Sequence, residues 1–396
     1  MLQNGTAYRC FCTQAELGER RAAAEADGET FRYDRRCDRL TAGEIELKLA
    51  AGAPFTIRFR VPDGTTSWDD LVHDTITFPN KDIEDFIVLR TDGTPIYNLA
   101  VVSDDIAMAI TLVMRGDDHI SNTPKQIMLY RALGADLPEF AHLPMIHGMD
   151  GKKLSKRHGA TAVGDYQHLG ILPHAMLNFL ALLGWAPGND IEVMTIPQMI
   201  ELFDTKGLHK KAAIFDTKKL EWMNGQHLQM LSTDELVART APALAAAGVT
   251  SASNLADRHE WFVTLLDLLK VRARTIDDIV RQSALYFSDT VQFEPDAVAK
   301  QWKDRAASAG LLQAIHGALV GTPEWETVTM EASLRVLAEQ LGLGDKAGKL
   351  FQPLRVALTG QSASPGIFDV LMLLGRERSL RRISDAIVFL GSVTNL

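Results

Sequence analysis

Between Gly151 and Gly159 the chain reads Lys152-Lys153-Leu154-Ser155-Lys156-Arg157-His158, which puts four cations within six positions. Fixed cations on a short loop suit a polyphosphate whose negative charge grows during reaction. The same composition fits a solvated basic loop, or a patch that neutralises nucleic-acid phosphates. A second group lies near the start, where Cys10-Phe11-Cys12 is followed by Tyr33 and Cys37, and no cysteine occurs afterwards. Thiolates are soft ligands that suit tetrahedral zinc; three small buried hydrophobes are the plainer alternative. A third candidate is Arg115, which ends the apolar run from Ile110 to Met114. Its guanidinium suits a carboxylate through two parallel hydrogen bonds, or a structural pair with Asp117 or Asp118.

These groups need elements to hold them. Ile110 to Met114 reads as a short strand, followed by a polar loop to Ser121. Thr123 is expected to cap a helix with Pro124 at its first position and Gly134 at its end. A second apolar run spans Ala141 to Ile146. Strand, helix and strand at this spacing form a βαβ unit with parallel strands. The lysine loop follows the second strand, and open parallel sheets bind ligands beyond the carboxyl ends of their strands. Upstream, Phe55 to Val61 alternates with period two, and Phe86 to Leu89 precedes a turn at Thr91-Asp92-Gly93; both read as strands. Downstream, Ile171 to Leu183 reads as a buried helix, and Ser232 with Glu235 as a capping box. From there the pattern is helical, with breaks predicted at Gly248, Pro295, Gly310, Gly321, Gly342 and Gly360.

Composition narrows the class. A chain of 396 residues, 46% hydrophobic and 23% charged, is too apolar for a disordered or low-complexity protein and long enough for two to three domains. The net charge of −9 argues against a general polyanion binder, though a local basic face can still bind phosphates. The longest apolar stretch, Ile171 to Trp185, is interrupted by His174 and Asn178 and falls short of the ~20 residues of a bilayer span. Few cysteines and no signal-peptide pattern point to the cytoplasm.

Lys153-Leu154-Ser155-Lys156-Arg157 resembles the Lys-Met-Ser-Lys-Ser signature of class I aminoacyl-tRNA synthetases, in the form typical of bacterial glutamyl-tRNA synthetases. Residues 95–102, 104–105, 114–124, 180–185, 219–224 and 353–360 resemble that family in order and spacing. The resemblance implies a multidomain α/β plus all-α protein. A partial Rossmann-type parallel sheet with a β-rich acceptor-end insert is followed by a helical stem-contact region and a helical anticodon-binding half. It places the insert at 1–90, the second Rossmann half at 91–147, the lysine loop and stem-contact region at 148–230, and the anticodon-binding helices at 231–396.

The activity implied is ATP-dependent conversion of glutamate to glutamyl-adenylate and its transfer to the 3′ end of tRNA(Glu). ATP with Mg2+, glutamate and tRNA are the implied partners, with a monomer and no membrane. Lys156 matches the lysine that stabilises the triphosphate, with Lys153, Ser155 and Arg157 on the same loop. Met145 and Ile146 match positions whose backbone lies against adenine. Arg115 matches an arginine that pairs with the substrate carboxylate, and Tyr97 a tyrosine lining the amino-acid pocket. Cys10, Cys12, Tyr33 and Cys37 match a structural Zn2+ site, with Arg39 where one form of the site has histidine. Two clusters are candidates for the tRNA anticodon arm: Lys270, Arg272 and Arg274, then Arg376, Arg378, Arg381 and Arg382. Either could also be a solvated helix face. Arg272 and Arg274 are two apart, so on a helix they do not share a face. The family's His-Ile-Gly-His-type signature is not found upstream. An N-terminally incomplete chain is therefore expected, with the strands near Ile110 and Met145 short of a sheet neighbour. A non-catalytic tRNA-binding fragment or paralogue is the alternative.

Overall fold

The structure is a computed structural model that describes residues 1–155, 162–188, 190–346 and 348–392. The chain divides into two compact units, Met1–His158 with Leu180–Asp216, and Gly159–Phe179 with Thr217–Leu396. No helix among the described residues is long and apolar enough to cross a membrane.

The strands of the first unit are β1 (Ala7–Cys10), β2 (Thr56–Phe59), β3 (Thr65–Asp70), β4 (Asp74–Pro79), β5 (Ile87–Leu89), β6 (Leu112–Gly116) and β7 (Glu139–Leu143). They form an antiparallel sheet in the order β1-β2-β5 and a mixed sheet in the order β4-β3-β7-β6. Helices α1 (Gln14–Ala26) and α2 (Ala42–Ala50) each open on a Thr–Glu capping box, Thr13 with Glu16 and Thr41 with Glu44. Helices α3 (Tyr97–Ala107) and α4 (Thr123–Leu133) flank β6 in sequence.

The βαβ unit is present: β6 and β7 run parallel from Leu112↔Glu139 to Gly116↔Leu143. Its helix α4 is buried from Ile127 to Tyr130, on successive sides of the helix. Ile127 packs with Trp68 and Phe140 of the mixed sheet, while Met128, Leu129 and Tyr130 pack with Phe59, Val61, Val88 and Val102. A helix with this pattern lies buried between layers, and each such side chain contributes about 1.5–3 kcal/mol through burial. Two expectations change. Thr123 starts the helix but does not cap it; Asn122 holds the cap position and makes no side-chain cap bond. And β7 does have a second neighbour, because β3 adds parallel to it through Asp70↔Phe140. That strand comes from residues 65–70, far away in sequence, so no local pattern announced the pairing.

The second unit is helical. After the bulk of α5 (Pro173–Ala181), and with α6 (Ile196–Leu202) belonging to the first unit, come α7 (Thr217–Met230), α8 (Thr233–Ala246), α9 (Ala252–Asp257), α10 (His259–Lys270) and α11 (Ile276–Phe287). Then follow α12 (Pro295–Gln301), α13 (Arg305–Val320), α14 (Thr327–Gln340), α15 (Gly348–Thr359), α16 (Ile367–Leu374) and α17 (Arg376–Ser392). One core runs through them, from Leu236 and Phe262 to Trp302, Leu354 and Ile383. The Ser232–Glu235 capping box forms as read. Gly310 does not break a helix; it lies inside α13. Glycine there costs about 1 kcal/mol relative to alanine, and burial of Leu312, Ile315 and Leu319 on the same helix outweighs it. Gly360 does end α15, with φ of 75°, and a Cβ there would fall 2.0 Å from the Gln292 carbonyl oxygen.

Candidate functional site

Arg115 of β6 and His142 of β7 are partners in register, so their side chains leave the same face of the sheet. Arg115 donates from Nε to His142 Nε2 at 3.3 Å, and from Nη2 to Thr123 Oγ1 and Gln126 Oε1, each at 2.8 Å. Gln126 is itself oriented by donating to Asn98 Oδ1 at 3.2 Å. Thr123 Oγ1, rather than capping α4, accepts from Arg115, faces His142 Nε2 at 3.0 Å and reaches the His119 carbonyl at 3.3 Å. All three acceptors of Arg115 are neutral, and no carboxylate lies within ion-pair distance among the described residues. Neither Asp117 nor Asp118 takes the structural role open to it, and Asp118 lies instead 3.5 Å from Lys153 Nζ. Burial lowers Arg115 below the ordinary arginine value. A half-buried cation with no carboxylate within ion-pair distance has the chemistry to receive an anion, with Asp105 the acidic group that acts on its charge.

Tyr97 begins α3, is 46% exposed, and places its hydroxyl 3.5 Å from His119 Nδ1. It also lies close enough to Arg115 to act on its charge. The start of the lysine loop folds back on the chain that leaves β7. His147 pairs with Lys153 on one side and Ile214 on the other, and Leu154 N–H donates to the Ile146 carbonyl at 2.9 Å. Ile146 thus has its carbonyl occupied, whereas Met145 makes no backbone–backbone hydrogen bond among the described residues. Lys153 and Ser155 are exposed. Lys156 and Arg157 lie outside the described residues.

The cysteines converge. Cys10 ends β1, Cys12 precedes α1, and Cys37 sits in a short 3-10 turn, Arg36–Arg39. Their sulfurs lie within 4.8 Å of one another, with Cys12 Sγ and Cys37 Sγ 3.6 Å apart. Tyr33 Oη lies 3.3 Å from Cys10 Sγ and 3.8 Å from Cys12 Sγ. Zinc–sulfur bonds of about 2.3 Å at tetrahedral angles put ligand sulfurs about 3.8 Å apart, so the spacing of the three sulfurs is compatible with the ion, and Tyr33 Oη lies beside them. The hydrogen bond from Cys37, with help from Tyr33 and Arg58, draws Cys10 well below the ordinary thiol range despite burial, whereas that bond pushes Cys37 up and burial pushes Cys12 and Tyr33 up. Three thiolates on a Zn2+ would leave one net negative charge, and the buried Arg58 guanidinium lies 4.0 Å from the Tyr33 ring centre, where it would offset that charge. Arg39 is turned elsewhere, donating to the Asp34 carbonyl at 2.6 Å.

The two basic clusters fare differently. Helix α10 ends at Lys270, so Arg272 and Arg274 lie on a turn and the helical-face expectation for them does not apply. Lys270 pairs with Asp267 at 2.6 Å, and Arg272 donates to the Ser364 carbonyl. Arg274 lies over Gly225, where a Cβ would come within 3.0 Å of its Nη1. Near the C-terminus, Arg376, Arg378 and Arg381 line a cleft of about 430 Å³ with Arg258 and Asp289. Arg382 does not join them. It is fully buried and donates to the carbonyls of Leu358, Leu285 and Ser288 at 2.6–2.7 Å. The sequence also gave no warning of Asp70, whose carboxylate lies 2.5 Å from His142 Nδ1 behind Arg115. A histidine inside an apolar strand was the available signal.

Comparison with known proteins shows the family. Residues 1–222 match the family described as tRNA synthetases class I (E and Q), catalytic domain, and residues 235–387 match an anticodon binding domain. The glutamate–tRNA ligase of Thermodesulfovibrio yellowstonii is 41% identical over 388 residues, covering 98% of this chain and 81% of that protein. That of Anaeromyxobacter dehalogenans is 41% identical over 392 residues, covering 99% and 79%. Among solved structures, a glutamate tRNA ligase from Elizabethkingia meningosepticum in complex with its amino acid superposes with a TM-score of 0.85 at 31% identity, covering 98% of this chain and 80% of that one. With a catalytic-domain match over more than half of its residues and relatives of this similarity along nearly its whole length, the chain belongs to the class I tRNA synthetase family of glutamate–tRNA ligases.

Proposed function

We infer that the protein ligates glutamate to tRNA(Glu) at the expense of ATP. The observation that carries this reading is Arg115, a positioned and un-neutralised cation at the carboxyl end of a parallel strand, beside the lysine loop of the family. A glutamate carboxylate oxygen attacks the α-phosphorus of ATP and pyrophosphate leaves. The 3′-terminal ribose hydroxyl of the tRNA then attacks the acyl carbon, and AMP leaves. Positioning and charge stabilisation carry both steps. Arg115 and Tyr97 hold glutamate, the Met145 and Ile146 backbone meets adenine, and Lys153, Ser155, Lys156 and Arg157 meet the phosphates. Glutamate-dependent exchange of pyrophosphate into ATP, followed by charging of tRNA(Glu), tests the assignment. Binding of tRNA with no exchange would favour a tRNA-binding role alone.

Cys10, Cys12, Tyr33 and Cys37 would hold one Zn2+, which supplies a structural cross-link between β1 and the turn at Arg36–Arg39. Elemental analysis of protein purified without chelator should find about one zinc per chain, and Cys37→Ser should lose it. Absence of zinc with all three thiols freely titratable would overturn the assignment.

Residues 231–396 would bind the anticodon arm through Arg376, Arg378 and Arg381, with Lys270, Arg272 and Arg274 as the second group. Arg376→Ala and Arg381→Ala, at exposed positions, should weaken tRNA variants alike. Each should also reduce the slope of log affinity against log salt by about one unit. Filter binding at two salt concentrations measures this, and unchanged binding in both variants would place the contact elsewhere.

A further inference from the structure

We propose that Asp70 and His142 form a buried positioning pair that presents Arg115 to the substrate carboxylate as a fixed but un-neutralised cation. The proposal rests on the reading of Arg115 as the glutamate-binding arginine. Both side chains are fully buried, with His142 Nδ1 2.5 Å from Asp70 Oδ2. The other oxygen, Asp70 Oδ1, accepts the backbone N–H groups of Val72 and His73 at 3.1 Å and of His142 at 3.2 Å. Oδ1, which receives three N–H donors, carries no proton; nor does Oδ2, because His142 Nε2 accepts from Arg115 Nε–H and a neutral imidazole then keeps its proton on Nδ1, so the carboxylate is ionised and His142 Nδ1 is the donor. Burial opposes that ionisation, but the His142 ring and the three N–H groups outweigh it and hold Asp70 below its ordinary value.

The far side of the ring fixes this tautomer. Nε2 faces Thr123 Oγ1 at 3.0 Å and Arg115 Nε at 3.3 Å. An arginine Nε–H can only donate, so Nε2 must offer its lone pair and the ring is neutral. Burial favours the same state, pushing the imidazole below its ordinary value against the pull of Asp70. The ring is also fixed in orientation, stacked on Phe140 with an interplanar angle of 9°.

A carboxylate placed directly on Arg115 would orient it equally well. It would also cancel the charge and compete with the incoming carboxylate. Interposing a neutral imidazole keeps the orientation and moves the negative charge one ring further back, where its attraction is weaker. The same pair ties β3 to β7, whose ladder among the described residues has a single register pair. The test must therefore separate positioning from sheet stability.

Asp70→Asn does so. Its side-chain oxygen can keep the three backbone N–H donors, which leaves the amide NH2 facing His142 Nδ1. The imidazole proton is then driven to Nε2, against the Nε–H of Arg115. The expected result is an L-glutamate KM and calorimetric dissociation constant raised about 10- to 100-fold. The ATP KM should stay within about threefold, and 15N NMR should show the His142 proton moved from Nδ1 to Nε2. A moved proton with unchanged glutamate affinity would overturn the proposal, as would a proton that stays on Nδ1 with affinity unchanged. Arg115→Ala is the reference arm. If it too leaves glutamate affinity unchanged, the carboxylate role of Arg115 fails; if it alone loses affinity, only the positioning role fails. Should Asp70→Asn unfold by circular dichroism, Thr123→Val replaces it, removing the hydroxyl shared by Arg115 and His142. A raised glutamate KM at constant ATP KM then supports the proposal, and an unchanged one overturns it.

Discussion

Arg115→Ala is expected to raise the L-glutamate KM in pyrophosphate exchange by about 10²- to 10³-fold while the ATP KM moves only a few-fold. Each charge-assisted hydrogen bond from a guanidinium to a carboxylate contributes about 1.5–3 kcal/mol. Loss of two therefore falls near the cost of leaving a buried charge without its partner. Arg115 is held in place by His142, Thr123 and Gln126 at the end of β6. Arg115→Lys should recover only part of the loss: it keeps the charge but cannot make two parallel bonds or satisfy the same three acceptors. Calorimetry with L-glutamate alone checks the binding term without turnover. Equal affinity in wild type and Arg115→Ala would remove this residue from substrate recognition.

The second large effect is on stability. Arg382→Ala should destabilise the helical unit by about 3–5 kcal/mol, because three buried carbonyls would lose their donor at about 1–3 kcal/mol each. Arg382 donates to Leu285 and Ser288 at the end of α11 and to Leu358 at the end of α15. Carbonyls there carry the partial negative charge of two helix dipoles, and alanine would leave them buried without donors. Burial, and then the nearby Arg378, lower Arg382 to about 10, so it still carries its charge at neutral pH. The exposed Arg376→Ala should shift stability by less than about 0.5 kcal/mol. Hydrogen exchange of the α11 and α15 amides measures the difference. Unaltered protection in Arg382→Ala would mean that these carbonyls find other partners.

What the sequence determined by itself is what short-range rules govern. The βαβ unit, a helix within Ile171 to Leu183 (shorter than read, at Pro173–Ala181, and exposed at His174 and Leu177) and the Ser232 capping box were legible, because periodicity, capping and turn chemistry act within about ten residues. The lysine loop and the cysteines were legible only as candidate chemistry, from residue type and order. Tertiary structure alone decided the rest. Asp70 and His142 are 72 residues apart and meet only because β3 adds to β7 in one register. Thr123 faces His142 instead of capping α4. Cys37 reaches Cys12 across 25 residues only through the fold of the turn after α1. Arg381 and Arg382 are adjacent and chemically identical, yet one bonds Asp289 at the surface and the other lies fully buried. A helix rotates successive side chains by about 100°, so the packing of α17, and not the composition of its first turns, chose which arginine became core.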